Sequence, residues 1–323
     1  MAELQEQIDI YDRKILFELD KNARLSATAI GKKIRKSKQF VDYRIKKLEK
    51  QKILSNYVTV IDYSKLGYQS IRIYFKLHNI TTEQQEELEN DLIKDKEVWW
   101  FVSIQGSWDV AYAMAVKDIL EFYSYWDKIM GKYKKYIKDH LVVVYTHIAQ
   151  YPKAFLLGKK NTEPGTLVGA SKEIELHPFD LKLLKILSDH ARMSLLELAQ
   201  KLDTSPQVVR NHIKNLEKNK VIQGYRASID VSSLGYRYYK SYLNLLNTGR
   251  LEELQQFCLE HPNILTINRT IGFRDFEIEL QARNFQEFDA IMGEIRDTFK
   301  GMIDDFIFII VRKEKKMVYF PFE

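Results

Sequence analysis

The sequence has little of what disulfide-rich or membrane proteins need. It has a single cysteine among 323 residues, Cys258, so no intrachain disulfide can form, and we expect its thiol to be a small buried side chain. No apolar run is long enough to cross a bilayer, and residues 1–10 are too polar for a signal peptide. These absences predict a cytoplasmic protein with no membrane partner.

Motifs of common catalytic and metal sites are also missing. The sequence contains no Gly-x-Ser-x-Gly, no P-loop and no Cys/His metal spacing. We therefore expect no catalytic residue, no metal and no cofactor, and a protein that is not an enzyme.

What is present is an excess of positive charge. Lys and Arg total 50 against 44 Asp and Glu, which gives a net charge of +6. A basic chain favours a polyanionic partner, although the net charge alone is a weak indicator. The distribution of the basic residues along the chain is uneven and therefore more informative.

The two halves of the chain are copies of each other. A shift of 168 residues aligns residues 12–68 with the second half without a gap, so that Asp12 meets Asp180. Further along, a shift of 166 residues pairs Gly106 with Gly272. Agreement over so long a segment indicates one duplicated unit.

Each copy begins with the pattern of three helices and a wing. In the first copy, Ser37 is suited to cap the third helix, in which Val41, Ile45 and Leu48 form an apolar stripe. The alternating residues 53–61 then predict a β-wing. This order is typical of a winged helix-turn-helix.

The rest of each copy follows the order strand, helix, strand, strand, helix, strand, which is typical of a ferredoxin-like domain. The predicted fold class is α+β, a winged helix-turn-helix plus a ferredoxin-like βαββαβ regulatory domain, with the pair repeated twice. The predicted divisions are a first winged helix-turn-helix domain (1–62), a first regulatory domain (66–151), a flexible linker (152–175), a second winged helix-turn-helix domain (176–230) and a second regulatory domain (234–323).

The unit resembles the leucine-responsive regulatory protein/AsnC (Lrp/AsnC) family of transcription regulators. The resemblance rests on residues 12–16 ahead of the helix-turn-helix, on residues 53–67 in the wing and hinge, and on the turns 106–109 and 272–275, which are similar to the family's Gly-x-x-Asp loop. It implies a sequence-specific regulator whose partner is double-stranded DNA. Family members usually carry one copy per chain, so the fusion leaves the assembly open.

Basic and hydrogen-bonding residues surround the third helix of the first copy. The amide of Gln39 is suited to read adenine, while Lys38 and Arg44 are suited to read guanine or to bind phosphate. By the resemblance, Arg44 also occupies the place of an arginine common in the family. The predicted DNA-binding residues are Lys36, Ser37, Lys38, Gln39, Tyr43, Arg44 and Lys47.

The corresponding helix of the second copy is less basic and has His212 in place of that arginine. Its predicted DNA-binding residues are Ser205, Gln207, Arg210, Asn211 and Lys214. We expect the first copy to dominate phosphate contact, and the second to be either a weaker reader or mainly structural.

A small effector, often an amino acid, is implied by the resemblance, because the family's Gly-x-x-Asp loops lie near subunit contacts where such ligands bind. The candidate effector residues are Gly106, Ser107, Trp108, Asp109, Gly272, Phe273, Arg274 and Asp275. Both glycines are also needed for a tight turn with positive φ. Arg274 could pair either with a ligand carboxylate or with a nearby acidic side chain.

Aromatic residues concentrate in the first regulatory domain, at Trp99, Trp100, Tyr123, Tyr125, Trp126, Tyr133 and Tyr136. They predict a core and a subunit interface, with an aromatic effector pocket as the alternative. We expect a homodimer of chains through the regulatory domains, with an intrachain pseudo-dimer as the alternative. The apolar residues 317–322 need cover in either assembly.

The alternative function is a siroheme-decarboxylase-like tetrapyrrole enzyme, whose subunits resemble the same family and act as pairs. Such an enzyme needs histidines and arginines in the regulatory half. Neither turn contains a histidine, and His140 and His147 are an odd number of residues apart, so that on one strand they face opposite sides. We therefore favour the regulator; an architectural protein that binds DNA without an effector is a third hypothesis.

Overall fold

The computed structural model describes residues 8–169, 171–318 and 320. The first copy consists, in chain order, of α1 (Ile10–Lys21), α2 (Ala27–Ile34), α3 (Lys38–Lys50), β1 (Leu54–Ile61), β2 (Gln69–Leu77), α4 (Thr82–Lys94), β3 (Val98–Gly106), β4 (Val110–Val116), α5 (Ile119–Tyr133) and β5 (Ile137–Gln150). Side-chain caps start these helices: Asp9 and Asp12 form a capping box at α1, and Ser37 Oγ accepts from the N–H of Phe40 at α3.

A connecting strand, β6 (Thr166–Val168), leads to the second copy. That copy consists of α6 (Pro178–Asp189), α7 (Leu195–Lys201), α8 (Pro206–Lys218), β7 (Ile222–Ile229), β8 (Arg237–Leu245), α9 (Leu251–Glu260), β9 (Ile264–Ile271), β10 (Phe276–Ala282), α10 (Phe285–Thr298) and β11 (Ile303–Met317). The predicted fold class is confirmed. Cys258 is buried in α9, as expected, and burial raises the pKa of its thiol.

The wing strands of the two copies pair with each other. β1 and β7 form an antiparallel two-stranded sheet in which Tyr57 lies opposite Ala227 and Thr59 lies opposite Tyr225. Each helix-turn-helix therefore contributes one strand to a shared ribbon. The predicted wing strand exists in both copies, but its partner comes from the other copy.

Two equivalent arginines connect the helix-turn-helix units across this ribbon. Nη1 of Arg24 donates to the carbonyl of Ala191 at 2.6 Å, and Nη1 of Arg192 donates to the carbonyl of Ala23 at 2.8 Å. The N–H groups of both alanines donate in turn to the wing strand of the other copy, at 2.9 and 3.0 Å. Because each contact has a counterpart 168 residues away, an approximate twofold axis relates the two units.

The regulatory strands of both copies form one closed barrel. Neighbouring strands follow the order β2-β4-β3-β11-β8-β10-β9-β5, and β5 also pairs with β2, which closes the ring. The long strands β5 and β11 make both joints: each pairs first with its own copy and then with a strand of the other copy. The chain is thus an intrachain pseudo-dimer.

This arrangement corrects the expected assembly. We expected the regulatory domains to pair between chains, but their sheet edges are already hydrogen-bonded within one chain, because the fusion places the second copy beside the first. The structure instead has the intrachain pseudo-dimer, which was the alternative predicted from the sequence. Any association between chains must use another surface.

Both faces of the barrel wall are covered. α4 and α5 pack against the outer face of the first-copy strands, around Phe75, Leu92 and Tyr112. α9 and α10 cover the second-copy strands in the same way, around Tyr239 and Phe288. The opposite faces of the strands enclose the barrel lumen.

The connection between the copies is ordered rather than flexible. Phe155 and Leu156 are buried, and the N–H of Phe155 donates to the carbonyl of Pro262 at 3.0 Å. β6 pairs with β5, and the N–H of Gly169 donates to Asp62 Oδ1 at 3.0 Å. The prediction of a flexible linker is therefore wrong for the described residues, since Phe155, Leu156 and Val168 of this connection are buried at the junction of the copies.

Some sequence predictions fall partly outside the described residues. These are residues 1–7 of the predicted first domain, Ala170 of the linker, and Tyr319 and residues 321–323 of the last domain. Of the apolar segment 317–322, Phe320 is 8% exposed. No helix of the described part is long and apolar enough to cross a membrane.

Candidate nucleic-acid interface and ligand cavity

α3 presents most of its predicted DNA-binding residues outward. Val41, Ile45 and Leu48 are buried, as predicted, and fix which side of the helix faces solvent. The exposed residues on or next to the opposite face are Lys36, Ser37, Lys38, Gln39 and Tyr43, while Lys47 is half-buried. Tyr43 is 67% exposed, so its ring is available for contact with a partner.

Arg44 is held inside the helix-turn-helix unit. Its Nη1 lies 3.1 Å from Asp12 Oδ2, its Nη2 lies 2.8 Å from Asp9 Oδ2, and its guanidinium lies 5.0 Å from the Phe40 ring centroid. The side chain is 19% exposed. Arg44 therefore ties α3 to the start of α1, and its role as a DNA contact stays a prediction.

In the second copy, a histidine makes the equivalent contact between the third helix and the first helix. His212 Nδ1 lies 2.7 Å from Asp180 Oδ1 and so takes the place of the arginine. From the sequence, this position was predicted only as a DNA contact. The signal that was missed is the acidic residue at the same distance upstream in both copies, Asp12 and Asp180.

α8 has the same outward face with fewer cations. Ser205 caps the helix, and Gln207, Arg210, Asn211 and Lys214 are all exposed. Gln207 Nε2 donates to Asn211 Oδ1 at 3.0 Å, so these two amides lie side by side. The two helices are equivalent in position but differ in charge.

The first Gly-x-x-Asp loop, between β3 and β4, is held by the end of β2 of the same copy. Gly106 has a φ of 131°, as its turn was predicted to require. Asp109 accepts from the N–H of Leu77 at 2.7 Å and from Lys76 Nζ at 3.0 Å. Trp108 packs against lumen aromatics, 6.1 Å from the Tyr74 ring.

The second loop is engaged in the same way. Gly272 has a φ of 106°, and Asp275 accepts from the N–H of Leu245 at 2.9 Å. Both terminal nitrogens of Arg274 bind the carboxylate of Asp305. The ligand role of both loops stays a prediction, while their charged side chains already have structural partners.

The barrel lumen holds a buried charge network that the sequence analysis did not identify. Arg72 Nη1 lies 3.0 Å from Glu279 Oε1, and Lys240 Nζ lies 3.0 Å from the same oxygen. Glu277 pairs with both cations and accepts from the hydroxyl of Tyr145. All five residues are buried. Burial opposes ionisation of Glu279, but Lys240 and Arg72 hold the pKa of its carboxyl well below its usual range.

A cavity of about 90 Å³ lies where the lumen meets the helix-turn-helix units. Its wall combines the end of β1, the connection to β2, barrel strands of both copies, β6 and the C-terminal strand. The residues that line it are Val60, Ile61, Tyr63, Arg72, Trp99, Trp100, Ala115, Ile148, Gln150, Val168, Tyr238, Thr266, Glu279, Glu314, Met317 and Val318. Trp99 and Trp100, predicted as core and interface residues, are thus also part of a cavity wall.

Two polar groups of this wall are unsatisfied. Arg72 Nε and Trp99 Nε1 are buried without a hydrogen-bond partner among the described residues. Glu314 accepts from Trp100 Nε1 at 3.0 Å. Its partly enclosed position raises the pKa of its carboxyl, mainly through desolvation.

Two family models match the helix-turn-helix units. Residues 8–49 match the AsnC-type helix-turn-helix domain, and residues 176–223 match a winged helix-turn-helix DNA-binding domain. The chain is 38% identical over 129 residues to the leucine-responsive regulatory protein of Rhizobium meliloti, covering 39% of this chain and 83% of the relative. It is 41% identical over 122 residues to the HTH-type transcriptional regulator LrpB of Bacillus subtilis, covering 38% of this chain and 82% of the relative.

The whole chain is also similar to a solved enzyme structure. The siroheme decarboxylase NirDL matches with a TM-score of 0.64 and 15% identity, covering 96% of this chain and 93% of that one. At this identity, the match shows that the two chains share a fold.

Proposed function

Because the chain belongs to the Lrp/AsnC family of DNA-binding transcription regulators, we propose that it binds specific duplex sites through α3 of its first copy. The observation that carries the proposal is the outward face of α3, where Lys38, Gln39 and Tyr43 are exposed on a helix fixed by its buried stripe. A helix-turn-helix places such a helix in the major groove, where amide and cationic side chains read base edges.

The second helix-turn-helix acts as a weaker reader in this proposal. The approximate twofold axis relates α8 to α3, as the half-sites of a pseudo-palindromic operator are related. Arg210 and Lys214 are exposed on α8, but Lys36 and Lys38 of the first copy have no cationic counterpart in the second. One chain would therefore supply both helices, with unequal phosphate contact.

Selection of sites from a random pool of duplex DNA tests the proposal. The parent protein should enrich a defined sequence. Gln39→Ala should relax the preference at one position, with a loss of about 1–3 kcal/mol in discrimination. Gln207→Ala, the matched change in α8, should have a smaller effect. A parent protein that enriches no sequence over random DNA would refute the proposal.

The second candidate function is a tetrapyrrole enzyme, favoured by the full-length likeness to siroheme decarboxylase NirDL. The lumen cavity does not support it. A cavity of about 90 Å³ is well below the roughly 300–1,000 Å³ of pockets that hold drug-sized ligands, and the described lining includes no histidine. Incubation with siroheme separates the two candidates: the regulator binds no pigment, whereas an enzyme binds it and releases carbon dioxide.

A further inference from the structure

A second cavity, of about 350 Å³, lies at the first helix-turn-helix unit. Its wall comes from α1, from the end of α2 with the turn that follows, and from Leu157 in the connection between the copies, and we name it the α1–α2 groove. Pockets that hold drug-sized ligands have volumes of roughly 300–1,000 Å³. The groove is therefore at the small end of this range and suits one compact ligand.

The charged side chains of the α1–α2 groove favour an anion. Lys14, Lys33 and Arg35 are cations, against the single acid Glu18. Glu18 is bound by Lys33, with Oε2 at 2.5 Å from Nζ. Lys14 and Arg35 have no carboxylate partner in the part of the chain that the structure describes. Their two charges are therefore available to an anion and match the nearly double negative charge of a terminal phosphate.

The other lining residues of the groove are apolar and include an aromatic ring. Phe17 and Leu157 are half-buried, and Ile34 is 7% exposed. An aromatic side chain can stack on any planar base, because every base has a π-face. Contact with a phosphate alone requires no apolar wall. Unpaired cations beside an apolar, aromatic wall therefore indicate an organic anion with a planar part.

The second copy lacks these features at the equivalent positions. Phe17 corresponds to Lys185, and Arg35 corresponds to Asp203, which reverses the charge. Arg35 and Asp203 both have a positive φ, of 57° and 50°, so the backbone of the turn is similar and the side chain differs. The groove is thus a feature of the first copy and does not follow from the helix-turn-helix pattern itself.

We propose that the α1–α2 groove binds an organic phosphate with a planar ring, such as a free nucleoside monophosphate. The phosphate pairs with Lys14 and Arg35, and the base stacks on Phe17 and packs against Ile34 and Leu157. This site lies outside α3 and α8, so the inference does not depend on the proposed function. A duplex bound to α3 is another source of phosphate, and titrations with nucleotide and with DNA separate the two sources.

Calorimetric titration of the full chain tests the ligand chemistry. The probes are adenosine 5′-monophosphate, adenosine, which lacks the phosphate, and inorganic phosphate, which lacks the ring. Adenosine and inorganic phosphate should each bind at least about tenfold more weakly than the monophosphate, because each loses one part of the contact. Adenosine that binds as tightly as the monophosphate would overturn the pairing with the cations, and inorganic phosphate that does so would overturn the ring contact.

Variants of the groove test where the monophosphate binds. Arg35→Asp introduces the residue that the second copy has at a turn of similar backbone, and Phe17→Leu keeps an apolar side chain. Both variants, and Lys14→Ala, should weaken binding of the monophosphate at least about tenfold. Lys182→Ala, the second-copy counterpart of Lys14→Ala, and Lys46→Ala on the exposed face of α3 should leave it unchanged. Thermal denaturation checks that each variant is folded.

The contrary outcomes are distinct. Absence of monophosphate binding to the parent at millimolar concentration would overturn the proposal. A slope of log DNA affinity against log salt that then falls by about one unit in Lys14→Ala would assign the groove to a phosphate of the duplex. Equal binding of the monophosphate by parent, Lys14→Ala and Phe17→Leu would also overturn it, because the nucleotide would then bind elsewhere. The proposed function fails separately, when no DNA is selected at all.

Discussion

Asp20 lies at the meeting point of three parts of the chain. Its buried carboxylate, at the end of α1, is 2.7 Å from Lys153 Nζ in the connection and 2.8 Å from Arg226 Nη2 in β7. Burial by itself raises the pKa of this carboxyl, but Arg226 and Lys153 outweigh burial and lower it below the usual value. The ionised form therefore stabilises the junction between the copies.

The pH dependence of the free energy of unfolding should show the stabilising effect of ionised Asp20. A lowered folded-state pKa means that the stabilising contribution of Asp20 is fully present above the unfolded-state pKa of about 3.9 and is lost as the pH falls through the folded-state pKa. The free energy of unfolding, measured by urea denaturation, should differ between parent and Asp20→Asn by about 3–5 kcal/mol near neutral pH. The gap should shrink with acidification. A constant gap across the acid range would refute the role of the charge.

Phosphate contact should differ between two matched lysines. Lys46 in α3 and Lys214 in α8 occupy equivalent, exposed positions, because they are 168 residues apart. Lys46→Ala should reduce the slope of log affinity against log salt by about one unit, as expected for one lost phosphate contact. Lys214→Ala should change it less. Equal changes in the two variants would contradict the predicted asymmetry between the copies.

For single residues, the sequence predicted which side chains face outward better than which partners they contact. The stripe of Val41, Ile45 and Leu48 determines the exposed face of α3, because helical periodicity is a local property. The ion pairs of Arg44 were not predicted, because Asp9 and Asp12 approach it only through tertiary packing of α1 on α3. Arg44 thus has a structural role in the fold, while its contact with DNA stays a prediction.

Among the elements, the ribbon of β1 and β7 determines how the two helix-turn-helix units are arranged. Arg24 and Arg192 each reach across it to a backbone carbonyl of the other copy. Each guanidinium also lies over an aromatic ring, Arg24 at 5.3 Å from Tyr225 and Arg192 at 4.9 Å from Tyr57. The pair should therefore act as a two-sided clamp.

Alanine substitutions of the clamp should show coupling. Arg24→Ala and Arg192→Ala should each lower the free energy of unfolding by about 1.5–3 kcal/mol, the range for a hydrogen bond from a charged group. In the double variant, the losses should not add, because both contacts belong to one interface. Lys32→Ala, which changes an exposed cation of α2, is the control. Strictly additive losses in thermal or urea denaturation would mean that the two sides are independent.

The sequence predicted the strands but not their surroundings. In β2, the outer residues Ile71 and Ile73 alternate with Ser70 and Arg72, a pattern typical of a strand with one face in solvent. The structure buries the polar face as well, because the second copy closes the barrel over it. Closure depends on pairing between distant strands, such as β3 with β11, which local periodicity does not encode.

Over the whole molecule, the surfaces that join the two copies form an interior of the single chain. The closed barrel, the shared ribbon and the packed connection all join one copy to the other within a single chain. The sequence revealed the repeat, yet the choice between pairing within and between chains depended on the connection. Its Gly and Ser residues suggested a flexible linker, whereas its buried Phe155 and Leu156 hold the copies together.

In the proposed function, one chain supplies both DNA-binding units to one duplex. Native mass spectrometry of the complex with a selected duplex, trimmed to the protected region, tests it most directly. We expect a complex that contains one chain of 38.3 kDa on a duplex with two half-sites about 10–10.5 base pairs apart. A complex that forms only with two chains per duplex would contradict it.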